Sequence, residues 1–383
     1  MSYDFIIAGT GLSGSVFARI VAEKGYHVLM LERRNHIAGN AYDKKDKTGI
    51  LIHKYGPHIF HTNNEEVFQF INRFSEWTPF KLKCEVEMCG KSTPSPFNFK
   101  TIDQFYEPEK ADLIKHNLRD AYPEQVVVTV VELLKNENDL IREYAQMLFD
   151  NDYSLYTAKQ WGISPSQIDI SVLKRVPVRL DYESMYFTDK YECMPKLGYT
   201  EFVKNMLAHP NIEVKTETDA LDFISLKETS LVFRDWDVNP NCHFVYTGPI
   251  DRLFNYKYGE LPYRSLRFEY KTLLQDSFQN APVVAYPQVK DFTRITEYKK
   301  LPIQEIPGKT TIAIEYPLQY QLKDDVEPYY PIPTENSSQI YQKYKSIASQ
   351  YTNLILCGRL AEYKYYNMDQ AIASVLNIAK KFI

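Results

Sequence analysis

Short β-branched apolar runs alternate with amphipathic stretches over the first 75 or so residues of the chain. Tyr3 to Ala8 reads as a strand, and Ser13 to Lys24 carries Val16, Phe17, Ile20 and Val21 at helical spacing. Gly25 stops that helix and Tyr26 to Leu31 reads as a second strand, a β-α-β order that predicts a parallel sheet. Ile50 to His53 is a further short strand, and Val67, Phe68, Phe70 and Ile71 fit a helix between Asn64 and Phe74. From Thr101 to Gly162 the pattern is mostly helical, with Glu124 to Lys135 and Asp139 to Asp150 showing apolar residues three and four apart. Alternation of apolar and polar residues, rich in β-branched and aromatic types, predicts antiparallel strands over Ile168 to Tyr191 and Tyr263 to Tyr320. His243 to Pro249 and Ile355 to Arg359 read as strands that return to the first sheet.

The first strand ends in Gly9-Thr10-Gly11-Leu12-Ser13-Gly14, and the second strand ends on Glu32, 18 residues beyond Gly14. Glycines at this spacing let backbone N–H groups approach a pyrophosphate at a helix N-terminus, while the acid accepts from ribose hydroxyls. Strand, glycines, helix, stop, strand and acid agree, so the segment is read as a dinucleotide cradle. The basic loop Arg33 to Ala41, with Gly39 and Asn40, would supply further donors and favours FAD over a nicotinamide dinucleotide. The fold expected is mixed α/β, with a discontinuous Rossmann-like FAD-binding domain (1–78, 194–250, 338–383). Into it are inserted a helical lobe (101–163) and an antiparallel sheet lobe for substrate (79–100, 164–193, 251–337).

Composition narrows the function. Thirty tyrosines and 21 phenylalanines against 14 glycines in 383 residues point to an ordered, aromatic-lined protein rather than a disordered or linker-rich one. A net charge of −4 gives nucleic-acid binding no support, and no apolar run reaches the roughly 20 residues of a membrane helix. Five cysteines without a CxxC pair suggest neither disulfides nor zinc, and Met1 to Asp4 run into a strand without the pattern of a secretory leader, so a cytoplasmic protein is expected. His58 and His61 flank a loop after Pro57 with no third ligand, which argues against a metal. Two arginine clusters, Lys174 to Arg179 and Phe292 to Glu297, could clamp a second diphosphate. Aromatic motifs at Tyr156 to Gly162, Glu327 to Pro331 and Tyr363 to Asn367 could hold a base and a sugar.

These motifs together resemble the bacterial UDP-galactopyranose mutases. The resemblance rests on Arg33 to Tyr42, Gly56 to Thr62, Tyr156 to Gly162, Arg175 to Arg179, Tyr246 to Asp251, Tyr263 to Leu266, Glu315 to Pro317, Glu327 to Pro331 and Gly358 to Tyr366. It implies a redox-neutral pyranose–furanose isomerase in which the N5 of reduced FAD attacks the anomeric carbon, and the sugar is held as a flavin adduct while its ring opens and recloses. It also implies an external reductant such as NAD(P)H and a homodimer that feeds cell-surface polysaccharide synthesis. Residue by residue, Arg175 and Arg294 match the diphosphate-binding arginines, and Tyr186, Tyr330, Tyr363 and Tyr366 the phenols that touch the diphosphate. Trp161 matches the ring beside the sugar, Tyr156 the ring that stacks on the base, and His61 and His58 the imidazoles near flavin and sugar. Glu315, Arg264 and Arg359 match residues around sugar or flavin, while Gly9, Gly11, Ser13, Gly14, Glu32, Arg33, Gly39 and Asn40 would hold FAD. Leu82, Leu155 and Ala285 stand where many members carry small or polar residues around base and sugar, which leaves dTDP-fucopyranose and UDP-N-acetylgalactosamine open as substrates. A flavin oxidoreductase and a non-catalytic binding module are the alternatives of another class.

Overall fold

A computed structural model of the chain describes residues 2–161, 177–320 and 326–382. Its first layer is a five-stranded, all-parallel sheet in the order Ile212–Lys215, Val28–Leu31, Tyr3–Ala8, Val238–Tyr246, Leu354–Leu356. Side-chain alternation along Tyr3–Ala8 sends Phe5 and Ile7 into one core and Ile6 and Ala8 into another, so both faces of the sheet are covered. The helices Leu12–Glu23, Tyr199–Leu207 and Met368–Ala379 contribute to the first of these cores, as Val16, Phe17, Phe202 and Val375 show. Strands and helices from residues 3 to 379 thus build one Rossmann-like unit out of separate chain segments, a mixed α/β fold.

A seven-stranded sheet forms the second layer, in the order Tyr330–Pro331, Tyr263–Leu273, Thr310–Gln319, Arg294–Glu297, Val283–Ala285, Cys84–Met88, Lys91–Ser95. It is antiparallel except where Val283–Ala285 runs parallel to Cys84–Met88. Its register places Arg294 beside Glu315 and Arg264 beside Tyr330. The strand Leu51–His53, paired with Asp43–Lys45, meets the second layer at His53, whose carbonyl accepts from both the Tyr270 and Tyr298 hydroxyls (2.7 and 2.9 Å).

The helices Phe99–Phe105, Pro108–Ala121, Val130–Leu134 and Asp139–Leu148 enclose a third core around Ile114, Leu133, Ile141 and Tyr144. Asp139–Leu148 runs on through a π-helical turn, Phe149–Tyr153, into the helix Ser154–Trp161. The helix expected over Glu124 to Lys135 is shorter: the β-branched run begins as the strand Val127–Val128, and Thr129 restarts the chain as Val130–Leu134 by a capping box with Glu132.

The placement of residues 164–193 in the sheet lobe needs correction for the part described, 177–193. Val178–Arg179 pairs with Val127–Val128 in the helical lobe, and Tyr191–Pro195 joins a small sheet with Phe60–Thr62 and Trp77–Pro79. Alternation correctly signals half-buried extended chain here. The backbone N–H groups of Leu180 and Tyr186, however, bond to Val126 and Leu82 one at a time, outside any continuous ladder. Among the described residues no helix is long and apolar enough to cross a membrane.

Candidate functional site

A cleft of about 1220 Å³, counted to its open mouth, lies at the carboxyl ends of the parallel strands. Its floor is backbone. Gly9 follows the first strand at φ +98°, and Gly11 caps the helix Leu12–Glu23 with no side chain accepting from its first turn, which leaves those N–H groups for an anion. Gly39, at φ +54°, presses on the same loop: a Cβ there would stand 2.8 Å from the Gly11 Cα. Ser13 abuts Gly358 across the cleft.

Glu32 is buried, with Oε2 accepting from the Thr10 N–H (3.0 Å) and hydroxyl (2.8 Å) and Oε1 from the Arg34 N–H (3.0 Å). Arg33 and Arg34 both pair with Glu327, which reaches over from the sheet layer. Arg34 also donates to Asn40 (2.9 Å) and lies 4.6 Å above the Tyr55 ring, while its Nη1 is buried without a hydrogen-bond partner among the described residues. A glycine cradle, an uncapped helix start, a strand-end acid and an unanswered buried guanidinium nitrogen together fit a dinucleotide.

At the other end side chains take over. Arg294 Nε and Nη2 both lie 2.7 Å from Glu315 Oε2, and Glu315 is only 2% exposed. Burial opposes the Arg294 charge, and Glu315, together with Tyr156 and Tyr330, more than offsets this, so the guanidinium stays protonated. Tyr330 gathers the neighbouring cations: Arg359 lies 4.6 Å and Arg264 5.2 Å from its ring centre. Arg264 donates to the Gln160 carbonyl (2.9 Å) and Gln160 donates to the Tyr156 hydroxyl (3.0 Å), a chain of contacts from sheet to helical lobe. Among charged neighbours, Arg294 and Glu315 act most strongly on that half-buried phenol.

His58 borders both ends. It lines the cleft, its Nδ1 lies 2.8 Å from the Gly56 carbonyl, and burial, with His53, Arg359 and Arg294 adding to it, pushes the imidazole down to about 3. The ring is therefore neutral at physiological pH, with Nδ1–H donating to that carbonyl and Nε2 left as an acceptor. His61 is fixed differently, by Asp189 Oδ2 at 2.6 Å and by stacking on Phe187 at 3.7 Å. Tyr186 meets Phe187 edge-on at 4.9 Å.

Of the tyrosines after Arg359, Tyr363 is not placed as the resemblance implies. Tyr363 is buried, and its hydroxyl donates to the carbonyls of Pro262 (2.8 Å) and Ile332 (2.9 Å), so it belongs to the core. Tyr366 donates to Glu362 (3.0 Å). Tyr365 is the ring that stacks on Tyr330, at 5.1 Å, with Arg359 at 5.7 Å from it. Tyr363 has φ +47°, and this left-handed residue turns the run so that its own ring packs inward. Arg175 and the side chain of Trp161 lie outside the described residues. Leu82 is buried, and Ala285 pairs with Arg294 across the sheet.

Comparison with known proteins agrees with this geometry. The family model described as UDP-galactopyranose mutase matches residues 152–365, and one for an NAD(P)-binding Rossmann-like domain matches residues 7–74. A UDP-galactopyranose mutase of Mycoplasma genitalium is 37% identical over 100% of this chain and 95% of its own length. For a dTDP-fucopyranose mutase of Escherichia coli the identity is 33%, over 99% of this chain and 98% of that protein. A crystal structure of reduced UDP-galactopyranose mutase superposes with a TM-score of 0.72 at 15% identity, covering 99% of this chain and 93% of that one, and shares the fold. With its family model spanning more than half the chain and relatives matching over its whole length, the chain belongs to the UDP-galactopyranose mutase family.

Proposed function

We propose that the protein interconverts the pyranose and furanose rings of a nucleotide-linked sugar, UDP-galactopyranose in the first instance, and that it works with FAD in the reduced state. The observation that carries this reading is the cluster of Arg264, Arg294 and Arg359 around Tyr330, with buried Glu315 beneath it, where the dinucleotide cleft ends at His58. The guanidiniums gathered here are the side chains suited to bidentate contact with a diphosphate leaving group. Phenols at Tyr330 and Tyr365 add an aromatic wall that suits a sugar diphosphate better than the apolar tunnel of an amine oxidase.

When bound, reduced flavin supplies the nucleophile for the anomeric carbon, a role for which a protein side chain is then not needed. The chain's own residues handle charge and position. Arg294 faces the diphosphate oxygen on which negative charge collects as the sugar–phosphate bond breaks, and Glu315 fixes the orientation of its fork. Neutral His58 offers Nε2 to a sugar hydroxyl or a ring N–H without adding a second charge. His61, aligned by Asp189 on the small sheet, would be the imidazole set against the cofactor, as the resemblance implies. The backbone of Gly9, Gly11, Ser13 and Gly14, with Glu32, Arg33, Arg34, Gly39 and Asn40, holds the adenosine diphosphate half. Tyr156 stacks on the base, and Arg175, which lies outside the described residues, is assigned to the diphosphate by the resemblance alone.

A second substrate, dTDP-fucopyranose, is favoured by one observation: Ala285, at the position the resemblance gives to a sugar-facing polar residue, carries no polar group, so contacts to a sugar hydroxyl are fewer on that side. In the cell the protein works as a cytoplasmic homodimer that depends on an external reductant such as NAD(P)H. The test is turnover of UDP-galactofuranose by dithionite-reduced and by oxidised protein. Conversion to the pyranose only after reduction supports the reading, and net oxidation of substrate overturns it.

A further inference from the structure

We propose that Lys159 is a positioning residue for the nucleotide diphosphate, and that it sets the spacing between Tyr156, the base platform, and Arg294, the diphosphate-binding arginine. The inference rests on the reading of the cleft as a nucleotide-sugar site, and it adds the residue that couples the two ends of the nucleotide.

Tyr156 and Arg294 belong to different lobes. Tyr156 stands on the helix Ser154–Trp161, and Arg294 opens the strand Arg294–Glu297 of the seven-stranded sheet. The turn 286–292 leads from Val283–Ala285 toward that strand, and Lys159, three residues beyond Tyr156, reaches into it. Its ammonium group donates to the carbonyls of Tyr286 and Phe292 (both 2.7 Å) and of Val289, so all three of its N–H groups are spent on one turn. Phe292 lies two residues before Arg294, and the Tyr286 N–H donates to the Thr293 carbonyl (2.8 Å), which closes the turn at its root.

The other contacts of this region act elsewhere. Gln288, at the tip of the turn, donates to Asn151 (2.9 Å) and accepts from the Cys89 N–H (2.8 Å). Gln160 accepts from Arg264, which stands two strands away from Arg294 in the sheet. Lys159 forms no salt bridge among the described residues, and the charged groups that act on it are Asp152 of the π turn and Asp291 of the turn itself. A single carboxylate would hold the ammonium at one point, whereas three carbonyls of one turn fix the shape of that turn. Burial draws Lys159 down to about 8, with Asp152 and Asp291 pulling the other way. The clamp is complete below that pH and loses its charge and one donor as pH rises through it. A ligand held at both ends gains affinity only when its two anchors stand at the matching distance, while a fragment that uses one anchor is indifferent to that distance.

The experiment measures binding of UDP, uridine and inorganic pyrophosphate to the flavin-loaded protein and to its Lys159→Met variant, by calorimetry at pH 7. Lys159→Met should bind UDP about tenfold more weakly and should bind uridine and pyrophosphate as the unaltered protein does. Repeating the UDP and uridine titrations at pH 8.5 tests the clamp without a substitution: UDP binding to the unaltered protein should weaken toward that of the variant, with uridine unaffected. A purely structural role would lower affinity for all three ligands alike in Lys159→Met, and that result overturns the inference, as does UDP binding that the substitution and the rise in pH both leave unchanged. If the unaltered protein binds no UDP at pH 7, the nucleotide-sugar reading itself fails.

Discussion

The two ends of the cleft are built from different materials. The cofactor end is mostly backbone from one short stretch, Gly9 to Gly14 backed by Gly39, and its geometry is local in sequence. The substrate end consists of side chains brought together by sheet register, with Arg294 beside Glu315, Arg264 beside Tyr330, and Arg359 arriving from the far end of the Rossmann-like unit. A backbone site fails when a side chain is added to it, whereas a side-chain site fails when a charge is removed from it.

Arg294→Ala and Gly39→Ala test that contrast most strongly. Arg294→Ala should retain flavin, because Arg294 stands outside the cradle, but should lose about 10²–10³ in turnover. It should also destabilise the fold by about 3–5 kcal/mol, since Glu315 is left buried and unpaired; Glu315→Gln in the same background should recover much of that stability without turnover. Gly39→Ala should instead be isolated without flavin absorbance, because its Cβ would meet the Gly11 backbone at 2.8 Å from a left-handed φ. Flavin lost from Arg294→Ala, or retained by Gly39→Ala, would break the contrast.

The neighbouring tyrosines sharpen it. Tyr365→Ala should raise KM about tenfold with stability unchanged, as expected for stacking of about 1–3 kcal/mol. Tyr363→Phe should leave KM alone and cost about 1–2 kcal/mol in denaturant unfolding, because two buried carbonyls lose their donor. Steady-state kinetics beside urea melts separate the two, and the opposite assignment would show Tyr363 in contact with substrate.

The contact of His53 with the second layer predicts a pH-dependent effect of similar size. His53 is fully buried with Nε2 unpartnered, and burial lowers its pKa from 6.5 to about 3. Between those values the unfolded chain holds a proton that the folded one excludes. The stability that His53 contributes is therefore complete above pH 6.5 and is lost as pH falls toward 3. Relative to His53→Leu, the unaltered protein should lose about 2 kcal/mol between pH 7 and pH 5, measured by denaturant unfolding at each pH. A pH-independent difference would show that His53 is protonated in the fold.

The same contrast explains what could be read in the sequence. The dinucleotide cradle, the parallel strands and the arginine-bearing strand Arg294–Glu297 follow from local spacing and alternation. Three features do not. Which of Tyr363, Tyr365 and Tyr366 meets Tyr330 depends on one left-handed backbone angle that no aromatic run encodes. The π turn Phe149–Tyr153 between the helices Asp139–Leu148 and Ser154–Trp161 escapes a 3.6-residue reading. Residues 177–193 alternate like a sheet strand but divide their contacts between the helical lobe and the small sheet, which only long-range packing decides.

The most direct measurement of the central claim is single-turnover conversion of UDP-galactofuranose under anaerobic conditions, with the flavin spectrum followed throughout. Reduced protein should yield UDP-galactopyranose with the flavin still reduced at the end, and oxidised protein should yield none. Product formed by the oxidised protein, or flavin oxidised in step with the substrate consumed, would contradict the account.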